Sequence, residues 1–255
     1  MKKSSVCGLE TAAPSQTEPL FFDESDEIRQ HDNRLPHWQQ DKRTYFVTFH
    51  LGDSIPNAKL NDWIAERDAW RKWNPFPLST VQQREYIQRF ANTVERWLDA
   101  GEGSCVLGHP HVAAVVGEAL KHFEGIRCQH HAWVIMPNHV HLLLSLRQGE
   151  KLPPLLRSWK GYTSRIINRI LGRSGSLWQK DYFDRLIRNS EHFWKCARYI
   201  RNNPPNARLS ASEYLLYESN FVHDGLNWEG RLPSRLLIRE TPAHGGLEAA
   251  APSYY

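Results

Sequence analysis

The stretch MPNHVHLLLSL, residues 136–146, sets two histidines one residue apart inside a run otherwise built for burial. The run reads as a β-strand, whose side chains alternate between two faces. Val140, Leu142, Leu144 and Leu146 share one face and pack into a core. His139, His141, Leu143 and Ser145 share the other, wetter face, so the two imidazoles stand side by side. Neutral imidazole is the commonest protein metal ligand, and such a pair suits a bidentate grip. Pairs of this kind also arise on half-buried strands without function, and thirteen histidines leave room for that. The pair gains meaning only from its context.

Working outward, IRCQHHAWVIM just upstream reads as a second strand, and Pro137-Asn138 as the tight connection of an antiparallel hairpin. RTYFVTFHL (Arg43–Leu51) alternates in the same way and is the first strand. Between them, NAKLNDWIAERDAWRKW carries Leu60, Ile64 and Trp70 at helical spacing, and STVQQREYIQRFANTVERWLDA carries Ile87, Phe90, Val94, Trp97 and Leu98 on one stripe. PHVAAVVGEALKHFEG is a further helix, closed by Gly125. After the hairpin, KLPPLLRSWKGYTSRIINRIL reads as a helix and SLWQKDYFDRLIRN as an extended, aromatic-rich connection. SEHFWKCARYIRNN is a short helix stopped by Pro204-Pro205. The expected fold is α+β, a ferredoxin-like antiparallel sheet with helices packed on one face. A flexible arm over 1–40, a single domain over 41–209 and a C-terminal extension with a loose tail over 210–255 complete it.

Composition narrows the function. A chain of 255 residues with ten tryptophans and 40% hydrophobic residues can build a sizeable core. No segment reaches the ~20 apolar residues of a membrane span. The polar N-terminus does not read as a secretory signal. Cys7, Cys105, Cys128 and Cys196 are scattered without CxxC spacing, which suits a reduced, cytoplasmic chain and no zinc knuckle. Charge is uneven. Between Lys151 and Arg208 thirteen basic residues face only Asp181, Asp184 and Glu191, a net +10 in a chain of net +4. That is the footprint of a phosphate-backbone binder.

A metal on two histidines needs a further ligand. On the helix starting near Ser190, Tyr199 and Asn203 lie four apart and project together. The Asn203 amide completes a His-His-Asn set for a hard divalent ion such as Mg²⁺ or Mn²⁺. The Tyr199 phenolic oxygen suits attack on a phosphodiester. A tyrosine at the edge of a packed helix is the other reading of Tyr199. A histidine-triad hydrolase would need a third alternating histidine, and Leu143 stands there instead.

The segments AWVIMPNHVHLLLSL, LWQKDYFDRLIRN and RYIRNNP together resemble the signatures of the IS200-type single-tyrosine (Y1) transposases, nearest to the REP-associated tyrosine transposases. The resemblance runs from about Tyr45 to about Leu209. It implies an HUH nuclease core, a bacterial, nucleoid-associated DNA endonuclease and strand transferase acting on single-stranded DNA at hairpins of palindromic repeats. It further implies that His139, His141 and Asn203 hold the metal and that Tyr199 forms a 5′-phosphotyrosine. Arg157, Lys160, Arg165, Arg169, Lys180, Arg185, Arg188, Arg198 and Arg201 would contact DNA, and Trp159, Trp178 or Tyr182 would stack unpaired bases. Residues 57–77 are longer than a minimal member needs. The length leans towards a monomer, with a dimer left open. A relaxase or replication initiator sharing the chemistry, or a catalytically silent hairpin-binding protein, are the alternatives.

Overall fold

The structure is a computed structural model that describes residues 18–23, 25–26, 29–32, 36–75 and 79–229. A short hairpin pairs β1 (Arg29–Asp32) with β2 (Pro36–Gln39). The main sheet has five antiparallel strands: β3 (Thr44–His50), β4 (Cys128–Ile135), β5 (His139–Leu146), β6 (Phe183–Leu186) and β7 (Leu215–Glu218). Their order is β6-β3-β5-β4-β7, so the histidine strand lies at the centre. The β4–β5 hairpin closes as expected, with the Met136 N–H donating to the His139 carbonyl at 2.9 Å.

The alternation read in β5 is present, but both faces are covered. Val140, Leu142, Leu144 and Leu146 join Tyr45, Val47 and Phe49 of β3 in the larger core. Helices α4 (Pro110–Lys121) and α5 (Leu152–Ile170) seal it with Val116, Leu120, Leu155, Leu156 and Trp159. On the other face Phe46, Leu143, Val134 and Met136 pack under Phe193, Ala197 and Ile200 of α6 (Ser190–Asn206) and Val222 of α7 (Asn220–Glu229). Helices therefore cover two faces, not one. The face expected to be wet is dry, with His139 at 1% and His141 at 0% exposure.

A third cluster uses the segment between β3 and α4. There α1 (Asn57–Trp73), α2 (Thr80–Tyr86) and α3 (Asn92–Asp99) pack Trp63, Trp70, Tyr86, Phe90, Val94 and Leu98 against Phe183 at the sheet edge. One π-turn, Ile87–Ala91, interrupts the run expected to be a single helix. The segment that appeared superfluous is thus a buttress beside β6.

Three boundaries differ from the sequence reading. Phe183–Leu186, expected to be a connection, forms an edge strand paired with Tyr45–Thr48. Helix α6 continues through Pro204 and Pro205, because proline accepts helical φ and removes only two donors near the helix end. The Ala207 N–H still reaches the Asn203 carbonyl at 3.0 Å. Strand β7 and helix α7 extend the fold beyond residue 209, and Ala132–Ile135 pair with β7. Gly225 lets α7 approach α6, since a Cβ there would stand 2.2 Å from the Trp194 ring. Within the expected arm, Leu20 and Phe22 hydrogen-bond to Thr44 and Ile187 of the domain. The expected arm also contains the β1–β2 hairpin, while residues 1–17, 24, 27–28 and 33–35 of the arm and 230–255 of the tail lie outside the described residues.

Candidate active site

Strand β5 directs His139 and His141 onto the α6 face, and their Nε2 atoms lie 2.9 Å apart. Each Nδ1 is tethered. His139 Nδ1 meets Asn138 Oδ1 at 2.7 Å, and His141 Nδ1 meets Thr48 Oγ1 at 2.7 Å. The Asn138 amide nitrogen donates to the carbonyls of Leu98 and Glu102. Its oxygen must therefore accept, which places the His139 proton on Nδ1 and leaves Nε2 as a lone pair. Burial, followed by the neighbouring His50, holds His139 down at about 3. Burial, then His139, then Arg185 hold His141 well below the ordinary imidazole value. Both rings are neutral at neutral pH, the state that ligates.

Two lone pairs at this separation repel unless a proton or a cation lies between them. Without a cation, His141 carries its proton on Nε2, donates to His139, and accepts from Thr48. With the proton on Nδ1 the Nε2 atoms converge, and two nitrogens at ~2.1 Å from an octahedral ion stand roughly 3 Å apart.

Helix α6 begins at Asn189, whose side chain caps the His192 N–H at 2.8 Å. It places Tyr199 over the pair, with the hydroxyl 3.4 Å from His141 Nε2 and the rings edge-on at 5.1 Å. Phe46 fixes both rings, stacking on His141 at 5.4 Å and meeting Tyr199 edge-on at 5.8 Å. Asn203, one turn further, is 3% exposed, and its side chain lies near Asp99 at the end of α3. Burial raises the Asp99 carboxyl, and the nearby Asn203 amide partly opposes the rise. The end of α3 thus holds Asn138 through the Leu98 carbonyl. The Asn203 Oδ1 atom is buried and has no hydrogen-bond partner among the described residues, which fits a site for a cation.

The comparisons bear on this segment. Residues 110–203, from α4 to the end of the candidate site, match the family model described as Transposase IS200 like. This stretch is similar to the IS200-like transposase family. Among solved structures, a REP-associated tyrosine transposase bound to a REP hairpin is 15% identical, with a TM-score of 0.37 over 67% of this chain and 71% of that chain. A Deinococcus radiodurans R1 protein classed as a transposase is 13% identical, with a TM-score of 0.28 over 65% of this chain and 93% of that chain. Both likenesses are distant, and the assignment rests on the family match. None of the curated proteins matches the chain.

Within the matched segment and its flanks, the basic residues differ in exposure and pairing. Arg157, Arg165, Arg169 and Lys180 are exposed, the first three on α5, on the sheet face away from His139. Arg185 and Arg201 lie on the histidine side and are ion-paired, with Glu95 at 3.2 Å and with Glu218 at 2.7 Å. Arg188 and Arg198 are half-buried. Lys160 is turned inward. Its ammonium donates to the carbonyls of Gln179, Lys180 and Asp181, which uses all three protons and removes it from the set of phosphate contacts. Burial pushes it down to about 8. Trp159, Trp178 and Tyr182, expected to stack bases, are 2%, 4% and 5% exposed and belong to the core.

The sequence reading did not single out Thr48, Asp99 or Phe46, and gave Asn138 only a turn. Asn138 directly precedes the histidine pair, a signal that was available. Thr48 becomes visible only through the β3–β5 register that sets it opposite His141. Replacing Asn138 with Ala should weaken the apparent affinity for Mn²⁺ in a cleavage assay ~10–100-fold, the usual loss for a partner that orients a ligating histidine. Cleavage measured against Mn²⁺ concentration checks this, and an unchanged curve would show that Asn138 only closes the turn.

Proposed function

We propose that this protein is a single-stranded DNA endonuclease and strand transferase that forms a 5′-phosphotyrosine through Tyr199 at DNA hairpins. The observation that carries the reading is the convergence of His139 and His141 Nε2, 2.9 Å apart, beneath the Tyr199 hydroxyl at 3.4 Å. A divalent ion, Mg²⁺ or Mn²⁺, bound by His139, His141 and Asn203 would supply charge neutralisation for the scissile phosphate. Tyr199 contributes the oxygen that forms the new bond to phosphorus. The bond from phosphorus to the 3′ oxygen breaks, that oxygen takes up a proton, and the phenol proton is lost. A 3′-hydroxyl from another strand reverses the exchange, so the bond energy is conserved in the linkage. Packing against Phe46 limits the motion of the ring before attack.

Strand binding falls to the exposed cations. A groove of about 580 Å³ runs between α5 and residues 176–182, lined by Arg157, Lys180, Ser164 and Gln179. Arg165 and Arg169 lie on the same helix. Reversing the charge of Arg165 and Arg169 should weaken hairpin binding and flatten its salt dependence by about one unit of slope per lost phosphate contact. Binding isotherms at several salt concentrations measure the slope, and an unchanged slope would turn this helix face towards solvent.

The reaction itself is tested with labelled single-stranded hairpin DNA, Mn²⁺ and a denaturing gel. Wild-type protein should give a covalent protein–DNA band. His139→Ala should remove the band yet keep hairpin affinity within roughly threefold, since phosphate contacts carry most of it. Undiminished cleavage by that variant would sink the metal assignment. Binding without any adduct in the wild type would leave a silent hairpin-binding protein.

A further inference from the structure

On the sheet face opposite His139 and His141, the turn from α4 into β4 gathers Glu124, Cys128 and His130. Their ligand atoms all lie within 4.8 Å of one another, the one such group of three His, Cys, Asp or Glu side chains among the described residues. His130 Nε2 stands 3.6 Å from Cys128 Sγ and 3.9 Å from a Glu124 oxygen. Ligands of a tetrahedral zinc ion at ~2.3 Å for sulfur and ~2.0 Å for nitrogen are roughly 3.5 Å apart. The sulfur–nitrogen spacing is already that of a zinc site. The carboxylate must close by about half an ångström on a half-exposed side chain. The Leu120 carbonyl, 3.0 Å from the same Nε2, adds an oxygen beside the group.

The chain is shaped to bring these three together. Gly125, at φ +73°, reverses the chain, and its N–H donates to the Cys128 carbonyl at 2.8 Å. The Glu124 carboxylate accepts the His130 N–H at 2.8 Å. A bulge between His130 and Ala132 then separates two consecutive histidines. His130 turns to the α5 side against Trp159, and His131 turns to the other, against Ser145 and Phe193. His130 is 2% exposed, and its Nδ1 has no hydrogen-bond partner among the described residues. Its other nitrogen, Nε2, is the one that faces the buried thiol, the Glu124 carboxylate and the Leu120 carbonyl, so it is the ring atom a cation would take.

We infer that Glu124, Cys128 and His130 form a zinc site that ties the end of α4 to the start of β4. Thiolate, imidazole and carboxylate are the donor types zinc takes, and Mg²⁺ would not select the sulfur. Binding displaces the thiol proton, and the imidazole proton moves from Nε2 to Nδ1, so one proton leaves per ion bound. Burial, then the Glu124 carboxylate, hold the thiol protonated in the metal-free site, and Arg127 and Arg147 favour the thiolate. The site is separate from the proposed catalytic pair, which lies across the sheet.

The test uses the full-length protein with Co²⁺, whose thiolate complexes absorb by charge transfer in the near ultraviolet. One Co²⁺ per chain should produce that band, release one proton and be displaced by Zn²⁺. Glu124 is partly exposed, so Glu124→Gln keeps the fold, and it should weaken Co²⁺ binding by at least ~10-fold. Cys128→Ala should abolish the band, and His141→Ala should leave it intact. Absence of a thiolate band in the wild type would overturn the site. So would a band lost in Cys105→Ser but retained in Cys128→Ala, or unchanged Co²⁺ affinity in Glu124→Gln.

Discussion

Tyr199→Phe should eliminate the covalent DNA adduct, by at least ~10³-fold, because a nucleophile leaves no partial substitute when its oxygen is removed. The same variant should fold and bind hairpins normally. Its hydroxyl stands 3.4 Å from His141 Nε2, a long contact whose loss costs at most about 1 kcal/mol. The ring keeps its edge-on contacts with Phe46 and His141. Tyr182→Phe should retain the adduct. Tyr182 is buried with Val47 and Trp178 in the core on the other side of the sheet. Burial, followed by Asp184, raises its phenol far above the ordinary value, against ionisation. Denaturing gels of trapped complexes read both variants. An adduct of wild-type yield in Tyr199→Phe would remove this tyrosine from the chemistry.

Acid should unfold the protein while most of its carboxylates are still ionised. Besides the catalytic pair and His130, the fold holds three histidines neutral: His50 opposite His139, the buried His131 and the half-buried His192. Burial holds His50 down at about 4, opposed by its bond to the Leu51 carbonyl. Burial and His130 hold His131 at about 3, and burial with Arg185 and Arg188 holds His192 at about 4. The unfolded chain takes up protons on these residues below about pH 6.5, and the folded chain does not until its lower values are reached. Stability is therefore complete above pH 6.5 and falls as the pH drops through the window towards 4. Each group removes up to about 1.4 kcal/mol per pH unit. Three together remove about 6 kcal/mol by pH 5, the lower part of an ordinary stability of about 5–15 kcal/mol. Circular dichroism against pH, with tryptophan fluorescence, measures the midpoint. His131→Asn should shift it downward, and a midpoint below pH 4 would contradict the account.

The parts legible in the sequence were those carried by local period. The two-residue alternation of β5 told which side chains travel with His139, and the four-residue spacing of α6 told that Tyr199 and Asn203 travel together. Neither period says what covers a face, so the dry environment of the histidines was not readable. Lys160 and Trp178 show the same limit. A lysine in a basic run reads as a phosphate contact, and only the fold of residues 176–182 back onto α5 turns its ammonium to three carbonyls. Phe183–Leu186 escaped notice as a strand because four residues beside two aromatics show no usable alternation. Glu124, Cys128 and His130 escaped because their spacing fits no standard ligand pattern, and a bulge aims His130.

The central claim is that Tyr199 and the His139–His141 pair form one reaction centre, and mapping the trapped adduct tests it most directly. Protein incubated with hairpin DNA and Mn²⁺ is digested, and the peptide carrying DNA is sequenced by mass spectrometry. The account predicts DNA on the peptide containing Tyr199, in wild type and in Tyr182→Phe, and on no peptide in His139→Ala. DNA on the peptide containing Tyr182 would contradict it.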